Sequence, residues 1–124
     1  MKENPVREKS YDFALRVVQR YRVMVADHEY ILSRQMARAG PGIGANVEEA
    51  LAGQSRRDFI AKMSIASKEA RECHYWLRLI RDSASASSEL VDPLIDESHE
   101  LTRMLTSIVK SSRERSMPES PTDQ

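Results

Sequence analysis

Apolar residues recur with a helical period in four successive stretches of this chain. In the first, Ala14, Val17, Tyr21 and Met24 stand at spacings of three, four and three, and Phe13, Val18 and Val25 widen the stripe. Residues three and four apart share one face of an α-helix, so the spacing predicts a helix over 9–26. Residues 1–8, polar and interrupted by Pro5, are expected to form a flexible leader. Asp27-His28-Glu29 reads as a short polar connection. In the second stretch Leu32, Met36, Ala39, Ile43, Asn46 and Ala50 keep spacings of four, three, four, three and four straight through Gly40-Pro41-Gly42. Proline deletes a backbone donor and crowds the preceding turn, which argues for a break. The unbroken phase argues for one helix over 29–52 with a kink near Pro41. Gly53 is expected to close it in the left-handed conformation.

Ser55 followed by Asp58 is close to a capping box and predicts the next helix start. The seam that follows is the most regular in the chain: Phe59, Met63, Ala66, Ala70, Cys73, Leu77 and Ile80 alternate spacings of four and three. A mean repeat of about 3.5 residues predicts packing along the whole helix against near-parallel or antiparallel neighbours. The serine-rich segment DSASASS ends that helix. Asp92-Pro93 then reads as a restart, with Leu94, Ser98, Leu101, Leu105 and Ile108 striping a helix over 93–114. Together the stripes predict an all-α fold, an antiparallel up-down-up-down four-helix bundle over 9–115, with 116–124 a disordered tail.

Composition agrees with a helical domain, since charged residues make up 31% of the 124 and aromatics 6%. The 19 Lys and Arg balance 19 Asp and Glu, so no net field draws the molecule to nucleic acid or an anionic membrane. The charge is uneven, however: residues 1–26 hold six basic and three acidic groups and residues 55–86 seven and four. Arg16 and Arg20 on the first helix, and Arg56, Arg57 and Lys62 on the third, are the candidate nucleic-acid contacts, and such binding would be directed to the backbone and salt-sensitive. A single cysteine, Cys73, cannot make an intrachain disulfide, and no stretch has the apolar length of a membrane span or the form of a secretory signal. A soluble cytoplasmic protein with no membrane contact is expected.

The residues predict no enzyme, metal or cofactor. Cys73 and His74 are adjacent and diverge on a helix, and no second Cys or His lies three or four residues from either of them or from His28 or His99. The GPGIG segment lacks the Gly-Lys-Ser/Thr ending and preceding strand of a phosphate loop, and its glycines are expected to let two helices approach closely. Glu48 and Glu49 point apart, and one of them is expected to pair with Arg57 or Lys62 across the turn. Asn46, in phase with the core, is expected to bond across the bundle or to the backbone near Pro41 and so fix register. A second apolar stripe on the third helix, Ile65, Tyr75, Trp76 and Leu79, exceeds what a lone bundle needs and predicts a homo-oligomer interface.

The run RAGPGIGANVEEALAGQSRRDFIAKMSIASKEARECHYWLRLI, residues 38–80, resembles the signature of the bacterial 23S rRNA-intervening-sequence proteins. That pattern is an R-S/A-x-x-S-I-x-A-N-I-x-E-A/G helix end, a short turn, and a long helix carrying F-I-x-K-M/L-x-I-A and E-A-x-E. With YDFALRVV and the D-P to T-R-M-L-x-S-I-V helix, the likeness spans about residues 10–110. This chain has Pro41-Gly42 where the pattern has threonine-serine. The resemblance implies an antiparallel four-helix bundle assembling as a homopentamer, without an established biochemical role. It also implies that Asn46, Glu49, Phe59, Ile65, Glu69 and Glu72 are the motif positions. Through a relative, the accessory protein of diversity-generating retroelements, it implies a possible nucleic-acid or protein partner bound by basic faces. A non-enzymatic assembly module is the first expectation and a nucleic-acid-binding accessory protein the alternative.

Overall fold

A computed structural model describes residues 4–83 and 85–116, which form four helices: α1 (Pro5–Ala26), α2 (Ile31–Ala52), α3 (Arg56–Asp82) and α4 (Ser88–Ser116). The first starts at Pro5 and not at residue 9. Asn4 is extended and its side chain accepts the Arg7 N–H at 3.1 Å, Pro5 sits where a missing donor costs nothing, and Val6 is buried. Residues 5–8 therefore belong to the bundle, which corrects the expected leader. Of the expected tail, Ser116 closes α4 and residues 117–124 lie outside the described residues.

The α1–α2 connection is built by backbone bonds. His28 takes the left-handed conformation (φ 66°), its N–H donates to the Val25 carbonyl and the Glu29 N–H to that of Met24. This pairing satisfies carbonyls that a helix end otherwise leaves free. The Glu29 carboxylate then accepts the N–H groups of Leu32 and Ser33, so Glu29 caps α2 from outside it. The helix itself is continuous from Ile31 through Gly40-Pro41-Gly42 to Ala52. Gly53 does end it, but with φ −64° and ψ 152°, extended and not left-handed, because Ser55 must begin capping α3 at once. Ser55 accepts the Asp58 N–H at 3.1 Å, as expected.

The fourth helix begins at Ser88, so Pro93 lies inside it and Asp92-Pro93 is not its start. Ser87 accepts from the Glu89 and Leu90 N–H groups, and the extra turn buries Val91 completely. That burial offsets the one backbone bond Pro93 cannot make.

Cross-helix partners fall along one element as they rise along the other. Arg7 meets Glu48 while Val17 lies against Gly40; Lys62 meets Glu49 while Glu72 meets Arg38. Ser67 meets Thr106 while His74 meets His99, and Lys9 meets Glu100 while Arg20 meets the Leu90 carbonyl. Neighbouring helices thus run in opposite directions, with α3 packed between α2 and α4.

The seam of α3 is buried as predicted from Met63 to Ile80, with Phe59 half-buried at its edge. On the other helices the buried face departs from the strict stripe. Ser10, Phe13 and Val17 are buried in α1 and Ala14 is only half-buried; in α4 Val109 and Ser112 follow Leu105, and Ile108 is half-buried. A seven-residue repeat drifts about 20° per heptad on a straight helix, so a long buried face needs an occasional extra step of four. In α2, Val47 is fully buried and Asn46 half-buried, because the face widens toward α1. A Cβ on Gly40 would stand 2.7 Å from Val17 Cγ1, and one on Gly44 3.3 Å from the Ser10 carbonyl oxygen. These two glycines allow the close approach expected of the GPGIG segment.

Candidate functional site

The charged motif residues Glu49, Glu69 and Glu72 gather where α2 meets α3. Arg38 places Nη2 at 2.9 Å from Glu72 and Nη1 at 3.3 Å from Glu69, and the Glu69 carboxylate lies over Gly42. The Glu72 hydrogen bond, then the Glu69 charge, hold the Arg38 guanidinium above its already high ordinary pKa. Farther along, Glu49 pairs with Lys62 at 3.3 Å, across the turn as expected, while Glu48 turns to α1 and meets Arg7 at 2.8 Å. Asn46 does not reach α3. Its Nδ2 donates to the Gly42 carbonyl at 2.8 Å, one turn back in its own helix and beside Pro41. Beneath this cluster Cys73 is fully buried, and burial, followed by the Glu69 charge, pushes its thiol up to about 12. A thiol so protonated at neutral pH is a poor nucleophile.

The candidate basic contacts divide. Arg16 is ion-paired with Glu97 and lies 3.5 Å from Asp12, Arg20 Nε donates to the Leu90 carbonyl at 3.3 Å, and Lys62 is held by Glu49. Arg56 and Arg57 make no ion pair among the described residues; with Ile60 and Arg115 they line a cavity of about 520 Å³ at the end where α3 begins and α4 finishes. The candidate interface stripe on α3 is partly open. Ile65 is 41% and Tyr75 48% exposed, Leu79 is half-buried, and Trp76 leans on the core with its indole N–H buried and unbonded among the described residues. The Tyr75 ring meets Trp76 edge-on at 5.2 Å and carries the Arg78 guanidinium 5.8 Å from its centroid.

The opposite flank of α3 holds side chains that sequence spacing did not bring together. Ser67 Oγ lies 3.3 Å from Thr106 Oγ1, Arg113 Nη2 lies 3.5 Å from Ser64 Oγ, and the His74 and His99 rings are 5.6 Å apart. Spacing rules compare residues along one helix, whereas these pairs join two. The signal was the register. From the Ser67–Thr106 pair, seven residues forward on α3 and seven back on α4 lead to His74 and His99. Partial burial, then the charge of Arg78 and the neighbouring His99 and Arg81, lower the His74 pKa below the usual imidazole value. Among the described residues no three His, Cys, Asp or Glu side chains group to hold a metal, and no helix is long and apolar enough to cross a membrane.

Comparison with known proteins places this architecture. A crystal structure of a protein of unknown function from the S23 ribosomal protein family of Bacteroides thetaiotaomicron superposes with a TM-score of 0.81 at 42% identity, covering 85% of this chain and 98% of that one. No curated protein matches the chain. The family model described as 23S rRNA-intervening sequence protein matches residues 2–107, which include the Arg38–Glu69–Glu72 cluster and nearly the whole bundle. The chain therefore belongs to the 23S rRNA-intervening sequence protein family.

Proposed function

We propose that the protein is a non-enzymatic, self-assembling helical module whose copies meet through the outward stripe of α3. The observation that carries this reading is the exposure of Ile65 (41%) and Tyr75 (48%) on a helix whose other apolar seam is already fully occupied by the core. Exposed large apolar side chains flanked by charge are what a protein contact buries. A second exposed run, Tyr11, Leu15 and Val18, stripes α1 at spacings of four and three. Two unlike apolar patches on one chain suit a head-to-tail contact, which closes into a ring when the rotation permits. A ring of five, the number the family resemblance implies, is the assembly we expect. Solution mass tests it: light scattering should return a multiple of the 14.2 kDa chain, and Ile65→Glu with Tyr75→Glu should return the single chain with its helicity intact. A wild-type protein that is monomeric at micromolar concentration would remove the reading.

Nucleic-acid binding is the second reading, and the observation favouring it is the uncompensated Arg56, Arg57 and Arg115 group at one end of the bundle. Arg16, Arg20 and Lys62 already have partners within the fold. The test is a titration with single-stranded RNA at rising salt. Affinity should fall steeply with salt and drop in Arg56→Gln with Arg57→Gln.

A further inference from the structure

The cavity between α3 and α4 carries chemistry that assembly does not use. It holds about 350 Å³ and is lined by Ser64, Ser67, Arg71, Thr106, Val109, Lys110, Arg113 and Glu114. Ser67 and Val109 are buried and form its floor, the Ser67 and Thr106 hydroxyls lie 3.3 Å apart across it, and Ser64 Oγ lies 3.5 Å from Arg113 Nη2. Arg71, Lys110 and Arg113 supply three positive groups against the single carboxylate of Glu114, and none of the three makes an ion pair among the described residues.

Six other basic groups are neutralised within the fold, while Arg56, Arg57 and Arg115 share with this cavity the lack of an ion pair among the described residues. Arg7, Lys9, Arg16, Arg38, Lys62 and Arg81 each face a carboxylate, and the chain has as many acidic as basic residues with which to do so. Like charges held near one another repel, and an anion seated among them removes the repulsion while gaining charge-assisted hydrogen bonds. Guanidinium groups match the planar edges of a phosphate or carboxylate, and serine and threonine hydroxyls donate to the remaining oxygens. The volume lies within the range of small-ligand sites, and the aliphatic stems of the basic residues, with Val109, offer an apolar wall beside the cations. The three cations line one open depression whose volume suits a single small molecule. The geometry points to an oxyanion-binding site in the α3–α4 cavity that takes a small phosphorylated molecule: the phosphate goes to Arg71, Lys110 and Arg113, and a compact apolar group rests on Val109. The site shares no residue with the Ile65–Tyr75 stripe, so its occupancy and the assembly are separately testable.

The experiment is an amide-resolved NMR titration of the full chain with phenyl phosphate, inorganic phosphate and benzyl alcohol. Phenyl phosphate should give saturable shifts confined to residues 64–71 and 106–114, inorganic phosphate the same pattern at several-fold weaker affinity, and benzyl alcohol none. Arg71→Gln with Lys110→Gln should weaken phenyl phosphate at least tenfold, while Arg34→Gln on α2 leaves it unchanged. Ser64→Asp, which puts a carboxylate beneath Arg113, should abolish binding and serves if the double variant does not fold. Unsaturable shifts, equal response to benzyl alcohol, or full affinity in both variants would overturn the assignment. So would binding of a single-stranded oligonucleotide through these residues with no response to phenyl phosphate.

Discussion

The two flanks of α3 differ in how they treat charge. Toward α2, two basic groups have their acids: Arg38 is shared by Glu69 and Glu72, and Lys62 faces Glu49. Toward α4, Arg71, Lys110 and Arg113 crowd a hydroxyl-lined cavity, and two imidazoles stand side by side. Both flanks hang on one seam, so the hydrophobic contribution to each is alike and the contrast is electrostatic. A matched cluster is what a fold needs to hold register. The other cluster leaves its positive charges without a carboxylate partner among the described residues, and those charges can meet an outside anion.

Variants can break or sharpen this contrast. Leu77→Ala should break it outright, because the fully buried side chain anchors both flanks; urea unfolding should show a loss of about 2–5 kcal/mol. Arg38→Gln should act on the matched flank alone. Its side chain is half exposed, so a loss of about 0.5–1 kcal/mol is expected in the same assay, more than an isolated surface pair gives because two carboxylates are left facing each other. Acid should act on the other flank. The folded state holds His74 below the ordinary imidazole pKa, so the unfolded chain binds the proton more tightly, and stability present above about pH 6.5 is lost as pH falls below it. Melting temperature should therefore drop between pH 7.5 and 5.5, and less so in His74→Gln. Lys110→Gln should move stability least, within about 0.5 kcal/mol and toward stabilisation, since it relieves repulsion and breaks no ion pair. Equal losses from Arg38→Gln and Lys110→Gln would erase the distinction between the flanks.

The legible parts of this molecule were those governed by one helix at a time. The α3 seam could be read residue by residue because its partners lie along its whole length, and the Ser55 cap because it is local. At the N-terminus, the charges of Arg7, Glu8 and Lys9 hid the core phase of Val6 and Ser10. In α4, the rule that proline begins helices outweighed Leu90 and Val91, whose burial carries the helix one turn farther back. Asn46 was placed on the packing face, but the glycines draw α1 in and turn that face toward Val47. The Glu49–Lys62 pair was expected because a short turn fixes which residues meet across it. The α3–α4 pairs were not, because the register across a longer connection depends on where α4 begins, and α4 begins at Ser88, five residues before Pro93.

Gly40 and Val17 also have a consequence for how sequences of this fold can vary. With no room for a Cβ at 40 against the branched side chain at 17, the two positions share a single allotment of volume between α1 and α2. A library randomised at both positions should return folded members whose summed side-chain volume is nearly constant, with alanine tolerated at 40 when 17 shrinks to alanine or serine. Neighbouring surface positions should vary freely.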